Sequence, residues 1–285
     1  MTARTAHRIA DTVERHHLPV EVLITRLTVR ASIDWTAEEP STALLLVRVG
    51  HQVGQTVLRE SVDVDGAEVD DISPRWGGAR PLRLHLPTGG AHLRYAATVD
   101  VEGDLAVGTG VSARLPTLED VDIDLFPWTL PSRYCPSDLL APTAEDLFGD
   151  APRTGLLLEH VRHWVERNIE YAPGTSNVNT GADETMLQRT GVCRDLAHLA
   201  ATLLRALGVP ARLASAYALG LEHEDFHAVV EAHDGTAWRT LDPTGLAAVG
   251  TLARIATGRD AADIAWGTTQ GTLILDHLEV AVARA

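Results

Sequence analysis

Thr190-Gly191-Val192-Cys193-Arg194-Asp195-Leu196-Ala197-His198-Leu199 sets a thiol where a helix begins. Downstream, Leu196, Leu199, Ala200, Leu203, Leu204 and Leu207 follow the i, i+3, i+4, i+7 spacing of one buried helical face. Gly208 and Pro210 then supply the stop. Cys193 therefore falls in the first turn, where unpaired N–H groups and the positive end of the helix dipole favour an anion. Arg194 adds a positive charge beside it. A lone cysteine is most often a small buried apolar residue, so the case for a nucleophile depends on what surrounds it.

Beyond the helix, Ala211 to Tyr217 reads as a strand, and Asp225-Phe226-His227-Ala228-Val229-Val230-Glu231 carries the β-branched run of a second, with His227 near its start. After a turn at His233-Asp234-Gly235, Ala237-Trp238-Arg239-Thr240-Leu241-Asp242-Pro243-Thr244 reads as a third strand with Asp242 at its end. Cysteine, histidine and aspartate on a helix start and two hairpin-linked strands can converge. The cysteine would then be the nucleophile, the imidazole its base, and the carboxylate the group that orients the imidazole.

These blocks, together with Arg205-Ala206-Leu207-Gly208-Val209-Pro210-Ala211-Arg212 and Leu241-Asp242-Pro243-Thr244-Gly245, resemble the bacterial transglutaminase-like cysteine enzymes. Upstream, Leu130 to Asp138 and Tyr171-Ala172-Pro173-Gly174-Thr175 are similar to the lead-in of that domain, and Ile255 to Asp263 to its closing segment. The resemblance covers about half the chain by motif. It implies a papain-like core in which Cys193, His227 and Asp242 form a triad acting on amide bonds by acyl transfer or hydrolysis. The expected enzyme is a transglutaminase-like cysteine protease or amidase, or a protein-glutamine acyltransferase, working through a thioester acyl-enzyme without cofactor or metal. Two positions depart from the pattern. Val229 stands where the family usually has tryptophan, and Ala216 lies within Ser215-Ala216-Tyr217 where Ser-Gly-Tyr is commoner. Both bear on the shape of the substrate groove and leave the triad intact.

Two other readings compete. His223-Glu224-Asp225-Phe226-His227 fits H-E-x-x-H, whose imidazoles must share one face of a helix to bind zinc. Gly220 upstream and the strand pattern from His227 to His233 argue against a helix, since i and i+4 on a strand lie about 13 Å apart. The other is a catalytically silent transglutaminase-like module used for binding or as a scaffold, against which the complete Cys-His-Asp set argues.

The upstream half reads as a separate body. Apolar residues alternate at Leu27, Val29, Ala31, Ile33 and Trp35, at Leu82, Leu84 and Leu86, and at Leu93, Tyr95, Ala97, Val99 and Val101. Pro87-Thr88-Gly89-Gly90 connects the last two runs as a hairpin, and the set describes a β-sandwich. The expected class is α+β: an arm at 1–17, an antiparallel β-sandwich at 18–117, and at 118–285 a papain-like or transglutaminase-like core whose cysteine-bearing helix packs on an antiparallel sheet.

Composition bounds the rest. Lys plus Arg at 24 against Asp plus Glu at 39 gives a net charge of −15, which disfavours nucleic acid or an anionic membrane as partner. No apolar stretch approaches a membrane span and the start lacks the apolar core of a signal peptide, so the expected location is the cytoplasm, with a peptide or protein amide as substrate. Two cysteines make no disulfide framework. Among residues of second rank, Cys135 reads as a buried thiol and Trp164 as core. His198 is expected on the polar side of its helix, Asp195 at the helix N-terminus or as the alternative partner of His227, and Tyr171 as a possible oxyanion donor, placed by order in the chain alone.

Overall fold

The computed structural model describes residues 23–72, 77–103, 114–117 and 119–285; the segment expected as an arm, 1–17, lies outside them. The chain opens with β1 (Ile24–Ala37), β2 (Ser41–Leu45), β3 (Gln55–Asp65), β4 (Glu68–Asp71), β5 (Leu82–Leu86) and β6 (Gly89–Glu102). In β1 the alternate residues Leu27, Val29, Ala31, Ile33 and Trp35 are buried, and in β6 Leu93, Tyr95, Ala97, Val99 and Val101 are too. A strand with period-2 burial needs a second apolar layer over that face, and two such layers make a sandwich.

The middle of the chain builds the other body: α1 (Ala141–Phe148), α2 (Gly155–Asn168), β7 (Glu170–Tyr171), α3 (Ala182–Gln188), β8 (Thr190–Gly191), α4 (Cys193–Ala206), β9 (Ala211–Ala218), β10 (His227–His233), β11 (Trp238–Leu241), β12 (Leu252–Gly258) and α5 (Ala261–Ile264). Its antiparallel sheet runs β11-β10-β9-β12. Helix α4 lies on β10 and β9, with α1, α2 and α3 packed around it. This is the α+β arrangement expected, a cysteine-bearing helix on an antiparallel sheet.

α4 is not the amphipathic surface helix its apolar stripe suggests. Every residue from Asp195 to Arg205 is buried, because helices cover the side away from the sheet. His198, expected on a polar surface, is fully buried and stacks on Tyr134 with ring centroids 5.0 Å apart, its Nε2 accepting the Ala261 N–H at 3.1 Å. Burial drives its pKa down to about 3, so the ring is neutral. Arg205 is buried too and is satisfied by the Ala211 carbonyl at 2.9 Å, the Ser132 hydroxyl at 3.0 Å and the Arg259 carbonyl.

The chain then returns. β13 (Gly267–Gln270) pairs with β2, and β14 (Leu273–Arg284) runs antiparallel to β1 from Leu27 opposite Arg284 to Ala37 opposite Leu273. The sandwich sheets are therefore β14-β1-β6-β3 and β13-β2-β5-β4. Taking 118–285 as one unit assigned these last strands to the other body. An alternating pattern fixes which face of a strand is buried and carries no information on which distant strand it joins.

The two bodies share one contiguous apolar cluster. Tyr217 of β9 stacks on Tyr95 of β6 at 6.2 Å, and its hydroxyl donates to the Val47 carbonyl at 2.6 Å. Among the described residues no helix is long and apolar enough to cross a membrane.

Candidate active site

Local chemistry at the start of α4 fixes the thiol. Val192 is the extended N-cap residue (φ −105°, ψ 178°), and its backbone N–H donates to Asp195 Oδ2 at 2.9 Å. A carboxylate three residues into the helix thus satisfies the residue that leads into it. Gly191 makes room for this contact, since a Cβ there would lie 2.8 Å from the Asp195 Cβ. Asp195 is spent on the helix start, one of the two places the sequence offered for it, and is fully buried. Cys193, the first residue of the helix, is only partly buried.

His227 opens β10 opposite Ala216, one of the two positions that depart from the family pattern. Asp242 follows the last residue of β11. Their side chains are 2% and 3% exposed, and His227 Nε2 lies 3.1 Å from Asp242 Oδ2. Asp242 is over-determined. Its Oδ1 accepts the Thr244 N–H at 2.9 Å and the Thr244 hydroxyl at 2.7 Å, and its Oδ2 also accepts the Ala247 N–H at 2.9 Å. A buried carboxylate with this many donors is held as the anion. Burial pushes its pKa up, but the His227 bond and charge and the Thr244 bonds outweigh it and the net shift is downward.

His227 is driven the other way. Burial alone lowers its pKa, yet hydrogen bonds to Asp242 and to Cys193, with the charges of both, raise it to about 10. With Nε2 committed to Asp242, Nδ1 is the nitrogen left for the thiol. The structure thus brings together Cys193, His227 and Asp242, in that order through space, with the imidazole in the middle.

Tyr171 reaches the same place through backbone pairing. β7 and β8 form a two-strand parallel pair, with Tyr171 opposite Gly191, two residues ahead of the thiol. The Glu170 N–H donates to Arg189 O at 2.8 Å and the Ala172 N–H to Gly191 O at 2.9 Å. Burial, then the charges of Cys193, Asp225, Asp242 and Asp195, push the phenol up to about 12, so it remains a hydrogen-bond donor at neutral pH. The loop after Tyr171 is tied to α4, because Arg194 donates to Ser176 Oγ at 2.6 Å and Asn177 O at 2.8 Å.

Sequence reasoning missed Thr244 and Ala247. The signal for the first was present in Asp242-Pro243-Thr244-Gly245, because a carboxylate two residues ahead of a hydroxyl folds into a local turn. Gly245 closes this turn with φ +69°. Ala247 is five residues from the carboxylate it donates to, and no pattern marks it. Cys135 is fully buried, as expected, and burial raises its pKa. The H-E-x-x-H segment is not a helix: His223 is exposed, Glu224 accepts the Val282 N–H at 3.1 Å, and His227 belongs to a strand.

Comparison with known proteins agrees with this architecture. The sequence pattern of the transglutaminase-like superfamily matches residues 143–243, a window that runs from α1 to just beyond Asp242. The crystal structure of a candidate cysteine protease from Cytophaga hutchinsonii superposes with a TM-score of 0.85 at 33% identity, covering 92% of this chain and 91% of that one. An uncharacterised protein of Mycobacterium leprae is 32% identical over 111 residues, 36% of this chain and 39% of the relative. One of Mycobacterium tuberculosis is 39% identical over 64 residues, 20% of its length. The chain thus spans about two fifths of the first mycobacterial relative and about one fifth of the second. With the family pattern lying on the helix-and-sheet body and a relative of the same extent matching both bodies, this chain belongs to the transglutaminase-like superfamily.

Proposed function

We propose that this protein hydrolyses amide or peptide bonds with Cys193 as nucleophile, His227 as general acid and base, and Asp242 as the orienting carboxylate. The superfamily is one of cysteine-type hydrolases and acyltransferases. The observation that carries the finer reading is the buried imidazole bonded to Asp242 at 3.1 Å, with the Cys193 thiol among the groups that raise its pKa. A histidine held protonated against burial in this way stabilises a thiolate beside it.

The Cys193 thiolate attacks the amide carbonyl, forming a C–S bond while the carbonyl π electrons move to oxygen. The oxyanion meets the Cys193 backbone N–H, which has no partner within the helix at its first position, and the Tyr171 hydroxyl. Collapse breaks the C–N bond, and the His227 proton goes to the departing amine. The neutral imidazole then takes a proton from water, whose oxygen attacks the thioester, and the thiolate returns with the acid as product. Hydrolysis is preferred to amine transfer because an amine must be held in place to compete with water at about 55 M, and no motif in the sequence marks such a site.

The test is to incubate the protein with a glutamine-containing peptide library and identify by mass spectrometry an acyl group on Cys193. A Cys193→Ala variant that still turns substrate over would overturn the assignment. Amide product dominating at millimolar amine would shift the reading to transglutamination, and loss of activity with chelator restored by zinc would revive His223 and His227 as ligands. Tyr171→Phe is expected to lower kcat by about 10²-fold with KM little changed, in keeping with an oxyanion donor.

A further inference from the structure

His227 is the first residue of β10, so the segment that aims it is the irregular stretch 219–226, and each of its last three residues is tied down. Glu224 Oε1 accepts the backbone N–H of Val282 at 3.1 Å. Val282 lies on β14, the outer strand of its sheet, opposite Val29. The Ala285 N–H donates to Arg26 O at 3.0 Å. Alternation along the ladder therefore turns the N–H of residue 283 toward β1 and that of Val282 outward, to the open edge. Glu224 caps that edge. Asp225 Oδ1 accepts the Phe226 N–H at 2.6 Å, closing the backbone just before the histidine.

Phe226, adjacent to His227, is held between the two bodies. Its ring stacks on Trp266 at 5.8 Å and 26°, and meets Tyr217 of β9 edge-on at 5.5 Å and 60°. Trp266 belongs to the sandwich, because its carbonyl accepts the Leu46 N–H at 2.8 Å and extends the β2–β13 pairing by one step. One tie from each sandwich sheet thus ends within three residues of the imidazole. Among the described residues, the titratable groups that act on His227 are Asp242 from the end of β11, Cys193 from α4, and Asp225 from its own segment.

We propose that Glu224 and Phe226 are positioning residues through which the β-sandwich, by way of the β14 edge and Trp266, holds the His227 imidazole between Cys193 and Asp242. The proposal rests on the catalytic reading of those three residues. It gives the sandwich a part in the chemistry: the two strands that close it, β13 and β14, come after the catalytic sheet in the chain, β14 carrying the Val282 that meets Glu224 and β13 directly following the Trp266 that meets Phe226.

The experiment needs no substrate. The rate of Cys193 alkylation by iodoacetamide is measured at about pH 6 and about pH 9, where a thiolate held by an imidazolium keeps its reactivity at the lower pH and a free thiol loses it. Glu224→Ala and Phe226→Ala are expected to lower the pH 6 to pH 9 ratio by about tenfold, the scale of a misplaced catalytic group. Glu224→Gln, which keeps an acceptor for the Val282 N–H, is expected to restore most of it. Val99→Ala, a truncation in the sandwich core on β6, serves as the control for lost stability alone, and thermal unfolding is followed for every variant. Wild-type ratios in Glu224→Ala and Phe226→Ala, with only the unfolding temperature lowered, would overturn the positioning role. An equal loss of ratio in Val99→Ala would overturn it as well. His227→Ala separates the two levels: if it leaves the ratio unchanged, the pairing of Cys193 with His227 itself fails.

Discussion

The two antiparallel systems of this molecule bury their strands differently. β1 and β6 alternate, with one face in the core and the other turned to polar groups and solvent. β9 and β10 are buried on both faces, with nearly every residue inside. A one-sided sheet can place its charges outside. A two-sided sheet cannot, so each polar group in it must find a partner. The sandwich accordingly wears exposed pairs such as Arg26 with Asp100 at 2.6 Å. The sheet under α4 encloses His227 with Asp242, and Glu231 between Arg212 at 2.7 Å and Arg254 at 2.8 Å. The candidate site lies in the sheet where low dielectric makes such pairs matter most.

The largest effect should come from breaking the buried pair at the site. Asp242→Asn is expected to reduce kcat by about 10³–10⁴-fold, measured on whichever peptide acylates Cys193. Asp242 raises the His227 pKa, so its loss lowers that pKa and moves the alkaline limb of kcat/KM to lower pH. An unmoved limb would mean that the charge of Asp242 does not reach the imidazole.

Next comes the second enclosed network. Glu231 is fully buried, and Glu231→Ala would leave the Arg212 and Arg254 guanidinia without their counter-charge, at a cost of about 3–5 kcal/mol in urea unfolding. A loss below about 1 kcal/mol would equate this pair with a surface one and erase the contrast between the sheets. Core truncations probe the packing of each body, scaled by what is removed: Leu199→Ala in α4 is expected to cost about 2–5 kcal/mol, and Ile33→Val in the sandwich, which loses a single methyl group, about 0.5–1.5 kcal/mol.

Linkage gives a smaller, pH-dependent signature. The folded pKa of His227 lies above its ordinary 6.5, so its contribution to stability is full below that value and is lost as pH rises through about 10. Asp242 is shifted down, so its contribution is present above its ordinary value and lost on acidification. His227→Ala should therefore flatten the alkaline side of the stability profile, measured by denaturant midpoint against pH. The smallest effect is expected at the exposed pair: Arg26→Gln should leave the unfolding temperature unchanged, because solvent and salt screen that charge.

The sequence by itself determined the elements whose information is local. Helix α4 and its thiol, the β9-β10-β11 succession with His227 at the start of β10 and Asp242 just past β11, and strands β1, β5 and β6 were legible, because apolar period, glycine and proline stops and turn residues lie within a few positions of one another. Tertiary structure decided what depends on distant partners. It sent β13 and β14 back to the sandwich, and it wrapped α4 so that His198 and Arg205 became buried. It tied Tyr171 beside Gly191, and ran the Tyr95–Tyr217 and Phe226–Trp266 contacts from one body to the other. Pairing across scores of residues is selected by the burial and hydrogen-bond satisfaction of the whole fold, and no window along the chain contains both halves of such a choice.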